Sequence, residues 1–473
     1  MKRNEASAAH ASERALSAAA HLQALVRIPT VCPPGDAPLS PEVAQVFAAH
    51  RSAMEECYPR VFAAAEVDSV GRAGLLLRVP GATPERPVML MAHQDVVPVP
   101  DDWEAEGWEH PPFDGAIDAG YVHGRGTLDD KGALVVLMDA LEELLESGWT
   151  PARDVYLLFG ADEEQHGPSA VAAAALLEER GIEPWLVLDE GGAVATGAFP
   201  GMSGPAAVIG ASEKGIATID LVVESLGGHA STPPRESAPG ILAAALVNVE
   251  SAPFPSSLHD LSVEMFEGLA PSLRFPLGSV LGRAGKLRGP LATLMPRLGP
   301  ELAAMVRTTA AITMLEGSPA QNVLATRARA TLNCRIAVGS SVAATVAHLR
   351  EAIDDERVSL EIVEASEPSP VSPTAGDERW EALGAAVAAS YPEAVVVPYV
   401  MMAASDARHV ARIAPAVYRF SPLLMDKAHR EAIHGPNEKV SIESLGRGVE
   451  FYRALLTGPA LGPDAAKGGA AAG

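Results

Sequence analysis

The sequence predicts an α/β protein: a discontinuous main domain with a mostly parallel sheet flanked by helices, carrying an inserted ferredoxin-like α+β domain. Three observations predict it. Short, continuous apolar runs alternate with helix-period segments over roughly the first 200 residues, which is the grammar of strands buried on both faces. After Ser212 the order becomes β-α-β-β-α-β, the split pattern of a small two-layer domain. Beyond the Pro-rich stretch Glu367-Pro368-Ser369-Pro370-Val371-Ser372-Pro373, a linker signal, the α/β grammar returns. The expected boundaries are 1–211 and 368–457 for the main domain, 212–367 for the insert, and 458–473 for a disordered Gly/Ala/Pro-rich tail.

Element by element, Ser12 to Val26 has helical period and leads into Cys32-Pro33-Pro34-Gly35. Gly74 to Val79 reads as a strand stopped by Pro80-Gly81, and Pro87 to Ala92 as a buried strand. Lys131 to Ser147 reads as a helix with Gly148 as its C-cap. Asp154 to Phe159 is a strand, Pro168 to Arg180 a helix ended by Gly181, and Trp185 to Leu188 a further strand. In the insert, Gly215 to Ser225, Thr309 to Leu315, Val323 to Ile336 and Val358 to Glu364 read as strands. Gly240 to Glu250 and Ser341 to Ile353 read as helices. Residues 252–307 are Pro/Gly-punctuated without a clear strand, a helical or loop insertion.

Composition narrows the function classes. The 473 residues are 48% hydrophobic and 20% charged, ample for a core and consistent with about three domains. Lys plus Arg total 36 against 60 Asp plus Glu, a formal charge of -24. Such a surface repels phosphate backbones and anionic lipid heads, so neither nucleic acid nor a membrane is an expected partner. Cys32, Cys57 and Cys334 form no C-x-x-C pair, which argues against a disulfide framework or a thiolate zinc site. The N-terminal stretch lacks the continuous apolar core of a signal peptide, and no run of about 18 apolar residues occurs; cytoplasm is the expected location.

Polar clusters follow three of the strands. His93-Gln94-Asp95, Asp162-Glu163-Glu164 and Asp189-Glu190-Gly191-Gly192 all stand where open α/β sheets bind ligands, beyond strand carboxyl ends. A fourth cluster, Gly124-Arg125-Gly126-Thr127-Leu128-Asp129-Asp130, precedes a helix; its two carboxylates disfavour a phosphate. Histidine with several carboxylates and no thiolate suits hard or borderline divalent metals, and an open position among such ligands suits catalytic zinc. Two ions about 3.5–4 Å apart need a bridging carboxylate, and a free carboxylate beside them can take a proton from water. Glu163-Glu164 offers both roles, one side chain to hold metal and its neighbour to act as base. Asp95 is placed to orient His93. The remaining His110, His123, His166, His409 and His429 read as surface or loop residues.

The segments MLMAHQDVVPV, GRGTLDDKGAL, GADEEQHG, LVLDEGG and IHGPNE, in that order, resemble the di-zinc aminoacylase/carboxypeptidase family, which includes acetylornithine deacetylase, succinyl-diaminopimelate desuccinylase, carnosinase and carboxypeptidases G and S. LVLDEGG and the insertion at 252–307 are most similar to the carboxypeptidase S branch. The resemblance implies a hydrolase for the amide bond of a small N-acyl amino acid or dipeptide with a free carboxylate. It implies two Zn2+ per chain, with Co2+ or Mn2+ as substitutes: His93 and Asp189 on one, Glu164 and His434 on the other, and Asp129 bridging both, with a cis peptide to Asp130. Glu163 would be the general base. His229, in the inserted lid or dimerisation domain, would stabilise the oxyanion in a partner subunit of a homodimer, with Asn322 beside it. Arg335 and Arg408 would clamp the substrate carboxylate by bidentate hydrogen bonds. A non-catalytic protein that uses the same metal-stabilised cleft to bind a ligand, or a strict dipeptidase, are the alternatives.

Overall fold

The computed structural model describes residues 2–462 apart from 36, 198 and 200. Its larger sheet has ten strands. The centre is parallel: Val155–Gly160, Val88–His93, Leu186–Asp189 and Val417–Arg419 lie side by side in that order. Glu66–Val70 and Gly74–Val79 extend one edge antiparallel, next to Val155–Gly160. The other side carries Ala206–Glu213, to which Ala193–Ala195 and Val395–Met401 also pair.

Alternation along the central strands explains why they read as continuous apolar runs. Val88, Leu90 and Ala92, with Leu157, Phe159, Leu186 and Leu188, face a core shared with the helices Lys2–Val26, Lys131–Glu146, Glu378–Ser390 and Ile442–Thr457. Met89, Met91, Tyr156, Leu158 and Val187 face the opposite core, against Ala170, Ala173 and Leu177 of the helix Pro168–Glu179 and Val410. Both faces are covered, so polarity has no face to mark and appears only at strand ends. Proline at the first position of Pro168–Glu179 supplies a preset φ where no N–H partner is needed.

The second sheet is antiparallel, in the order Thr309–Glu316, Arg327–Ile336, Gly215–Glu224, Ser359–Ser366. Numbered along the chain this is 2-3-1-4, the ferredoxin-like arrangement expected from sequence. Ala217, Ile219, Leu221 and Val223 on one strand and Ala328, Ala330, Leu332 and Cys334 on the next pack beneath the helices Ala238–Ser251 and Val342–Ile353. Ser237 and Ser341 cap these helices by accepting from Gly240 N and Ala344 N, at 3.3 and 3.1 Å.

Several features depart from the sequence reading. The first helix begins at Lys2 rather than near Ser12. Ala206–Glu213 is a strand that sequence reading passed over, because AAVIGASE carries one alanine, glycine or serine after another and little β-propensity. The segment read as one strand from Val323 to Ile336 is two, Val323–Leu324 and Arg327–Ile336. The 252–307 insertion is helical, with helices at Asp260–Leu269, Leu277–Leu281, Arg288–Leu294 and Pro300–Ala304. Its Val263, Met265, Phe266 and Leu269 pack with Ala206 and Val397, so it leans on the larger sheet although it interrupts the smaller one in sequence. Of the expected tail, Gly458–Gly462 is a turn with Leu461 buried; the rest lies outside the described residues. Cys32 and Cys334 are buried, and all three thiols are free.

One buried ion pair joins Ala206–Glu213 to the parallel centre. Arg419 Nε donates to Glu213 Oε2 at 3.2 Å, and neither side chain exceeds 1% exposure. Ser405 N donates to the same oxygen at 3.2 Å. Removing one member leaves an uncompensated buried charge. We expect Arg419→Met to cost ~3–5 kcal/mol in denaturant unfolding, and the double change with Glu213→Leu to recover most of it. A single variant as stable as the parent would show that the pair is dispensable.

Candidate active site

Parallel pairing sets the geometry. His93, the last residue of its strand, stands opposite Gly160 of its neighbour. Three and four residues past Gly160, the short 3-10 turn Glu163–Gln165 presents two carboxylates. Asp189 ends the strand on the other side. Asp129 arrives from the loop before Lys131–Glu146, and its peptide to Asp130 is cis.

That loop is held by a residue sequence reading assigned no role. Glu438 is fully buried and its carboxylate accepts from Arg125 Nη1 at 2.6 Å, Leu128 N at 2.8 Å, Gly126 N at 3.0 Å and Asp129 N at 3.2 Å. The only signal for it was its position four residues after His434 in IHGPNE. One carboxylate thus ties the Asp129 loop to the His434 loop.

Asp129 lies between two imidazoles. His93 Nε2 is 2.8 Å from Asp129 Oδ1, and His434 Nε2 is 3.0 Å from Asp129 Oδ2. His434 Nε2 is also 3.1 Å from Glu164 Oε1. Potential ligand atoms of Asp129, Glu164 and His434 lie within 4.8 Å of one another, as do those of His93, Glu163 and Glu164. Asp189 belongs to neither group; its Oδ2 accepts from Ala407 N at 2.7 Å. Asp95 acts on both sides of His93. Its backbone oxygen is 3.0 Å from His93 Nδ1, while its carboxylate accepts from Glu163 N and Glu164 N at 3.2 and 3.1 Å. The tautomer that presents Nε2 to the cleft is therefore fixed mainly by the Asp95 carbonyl, with the carboxylate at 3.4 Å.

The electrostatics are those of a site short of positive charge. Burial raises the Glu163 pKa well above the usual carboxylate range; His93 opposes this, while Asp406, Asp129 and Glu164 add to it. Asp130, Glu190 and Asp406 are pushed up by burial too, with neighbouring carboxylates reinforcing the shift. Hydrogen bonds to Asp129 and Glu164 raise His434 to about 10. Burial favours neutral His93, yet Asp129 and Asp95 outweigh it and hold its pKa well above the ordinary value. Protons on the two imidazoles thus sit where cations would satisfy the same oxygens. Asp130 Oδ1 and both Asp406 oxygens have no hydrogen-bond partner among the described residues. Donors about 2.1 Å from one ion stand roughly 3–4 Å apart, so the observed 2.8–3.1 Å separations need only a small outward adjustment. The donor set fits divalent metal. Glu190 and Asp406 were missed as members of the cluster, since DEGG and SDAR each contain a residue already given another role.

The remaining sequence candidates divide into two groups. Arg335 feels Arg408 and the cleft electrostatically: burial, then Arg408, lowers the Arg335 pKa, while Glu163 and Glu213 oppose the shift, and Arg408 Nη1 donates to Ser405 O at 3.1 Å. His229 is exposed on the short strand Gly228–His229, where its Nδ1 lies 2.8 Å from Ser231 Oγ. Ala230 N donates to Asn322 O at 3.1 Å, so Asn322 is its neighbour. Neither His229 nor Asn322 contacts the histidine–carboxylate cluster of this chain among the described residues.

A parallel sheet whose carboxyl edge gathers histidines and carboxylates around one shared aspartate defines a metallohydrolase cleft. The chain belongs to peptidase family M20/M25/M40, whose model matches residues 89–458. It is 36% identical over 408 residues to the N-fatty-acyl-amino acid synthase/hydrolase PM20D1 of Xenopus tropicalis, covering 85% of this chain and 79% of the relative. It is 34% identical over 375 residues to the probable carboxypeptidase S-like 2 of Dictyostelium discoideum, covering 78% and 71%. Its fold matches the M20 metallo-carboxypeptidase Sso-CP2 of Sulfolobus solfataricus with a TM-score of 0.65 at 16% identity, over 92% of this chain and 97% of that one. Human carnosine dipeptidase 1 matches with a TM-score of 0.64 at 15% identity, over 97% and 98%. No helix among the described residues is long and apolar enough to cross a membrane.

Proposed function

We propose that the chain is a zinc-dependent hydrolase, with two ions in its cleft, that cleaves the amide bond of small N-acyl amino acids bearing a free carboxylate. The observation that carries this reading is the Asp129 carboxylate, with one oxygen 2.8 Å from His93 and the other 3.0 Å from His434. His93 and Asp189 would hold one ion, Glu164 and His434 the other, with Asp129 shared. Zinc there supplies a Lewis acid that polarises the scissile carbonyl and eases deprotonation of water. Glu163 takes the proton from the attacking water and returns it to the leaving nitrogen. Asp95 holds His93 by its carbonyl and the Glu163-Glu164 turn by its carboxylate.

N-acyl amino acids are favoured over dipeptides because the relatives at 35–36% identity are named N-fatty-acyl-amino acid synthase/hydrolases, ahead of the probable carboxypeptidase S-like 2 at 34%. Arg335 and Arg408 receive the substrate carboxylate as a bidentate clamp. Exposed His229, with Asn322 beside it, serves the cleft of a second copy in a homodimer formed through the smaller sheet, where it stabilises the oxyanion.

Turnover of an N-acyl amino acid panel against a dipeptide panel tests the assignment. N-acyl amino acids should be turned over with the higher kcat/KM, and their carboxamide analogues should be poor substrates. Arg335→Ala and Arg408→Ala should each raise KM for the free acid about 10-fold or more while barely changing kinetics toward the carboxamide. Preference for dipeptides would move the chain to the dipeptidase alternative, and no hydrolysis of any substrate by the metal-loaded chain would favour the binding protein.

A further inference from the structure

A second histidine–carboxylate group lies outside the cleft. It sits on the three-stranded sheet formed by Lys439–Ser441, Tyr121–His123 and Ala116–Asp118. His123 pairs with Ala116 and Asp118 with Tyr121 in register, so His123 and Asp118 project from the same face. His110 comes from the preceding loop and lays its ring 4.4 Å from that of His123. Potential ligand atoms of His110, Asp118 and His123 all lie within 4.8 Å of one another, with His110 Nε2 4.0 Å from Asp118 Oδ2.

The burial is graded as a ligand site requires. His123 is only 7% exposed, and its Nε2 has no hydrogen-bond partner among the described residues. A buried ring nitrogen left without a partner is costly, and coordination would satisfy it. His110 and Asp118 remain open, at 30% and 66% side-chain exposure, so an ion can enter and a water can complete its shell. Tetrahedral donors about 2.1 Å from one ion stand roughly 3.4 Å apart, within reach of these half-free side chains. Lys439, paired across from His123, has its ammonium 5.0 Å from the Tyr121 ring centre, where the ring face receives it.

We propose that His110, Asp118 and His123 form a metal site separate from the cleft, selective for a borderline divalent cation such as Zn2+. Two imidazoles and one carboxylate favour zinc over calcium or magnesium, which prefer all-oxygen shells. The ion would pin the 101–115 loop to the strand that runs straight into the Asp129 loop. Asn437, three residues past His434, already accepts from Glu109 N at 2.7 Å and donates to Gly107 O at 2.9 Å, so the same loop touches both histidine-bearing segments.

Zinc content and thermal melting of the full chain test this, by difference, whatever the cleft holds. The parent, His110→Ala, Asp118→Ala and His123→Ala are equilibrated with micromolar free Zn2+, and zinc per chain is measured. Each variant should carry one equivalent less than the parent, and the portion of the zinc-dependent rise in melting temperature due to this site should disappear. Exposed Asp118 and half-exposed His110 can be changed without opening the core, so those two decide the matter if His123→Ala fails to fold. Equal zinc content in the parent and in the folded His110→Ala and Asp118→Ala chains would overturn the site.

Discussion

Glu163→Gln should lower turnover by roughly 10²–10⁴-fold while leaving the metal content of the protein unchanged. The argument is geometric. Glu163 and Glu164 share one 3-10 turn, and both backbone N–H groups are held by the Asp95 carboxylate at 3.2 and 3.1 Å. Glu164 is committed to His434 at 3.1 Å, whereas Glu163 makes no side-chain hydrogen bond among the described residues. The amide of glutamine fills the same space but cannot accept and return a proton. KM should change little, because the substrate carboxylate is assigned to Arg335 and Arg408. A kcat within a few-fold of the parent would reassign the base; loss of metal along with activity would place Glu163 among the ligands instead.

Asp129→Ala should have the largest effect. Among the described residues it removes the one carboxylate hydrogen-bonded to both imidazoles, His93 at 2.8 Å and His434 at 3.0 Å. Each ion loses a ligand at once, and the two histidines lose the group that aligns them. Loss of a Lewis acid contribution of several kcal/mol corresponds to roughly 10³-fold or more in rate, so activity should fall to background. Metal analysis should find the cleft stripped. Retention of two tightly held ions in the cleft of this variant would mean that Asp129 is not shared between them.

Much of the architecture was legible because strand burial and strand ends leave separate marks. Continuous apolar runs such as Val88 to Ala92 announce strands covered on both faces, and the polar residue that ends each run, His93 or Asp189, has to emerge at the sheet edge. The ferredoxin-like order of the insert was legible for a similar reason, since Ala217, Ile219 and Leu221 alternate beneath the two helices of the insert. Ala206–Glu213 was not legible, because small residues pack well there without carrying β-propensity. Nor did sequence reading find the tertiary carboxylates: Glu438 and Asp406 act through neighbours hundreds of residues away, and nothing in the local pattern of either reveals a buried role. The place of the 252–307 helices against the larger sheet is a further tertiary fact, set by Phe266 and Leu269 meeting Val397.

Anomalous X-ray diffraction from crystals of the zinc-loaded chain tests the central claim most directly. Two peaks about 3.5–4 Å apart should flank the Asp129 carboxylate, one on the His93 side and one on the His434 side. A cleft without zinc, or zinc bound only away from Asp129, would contradict the account.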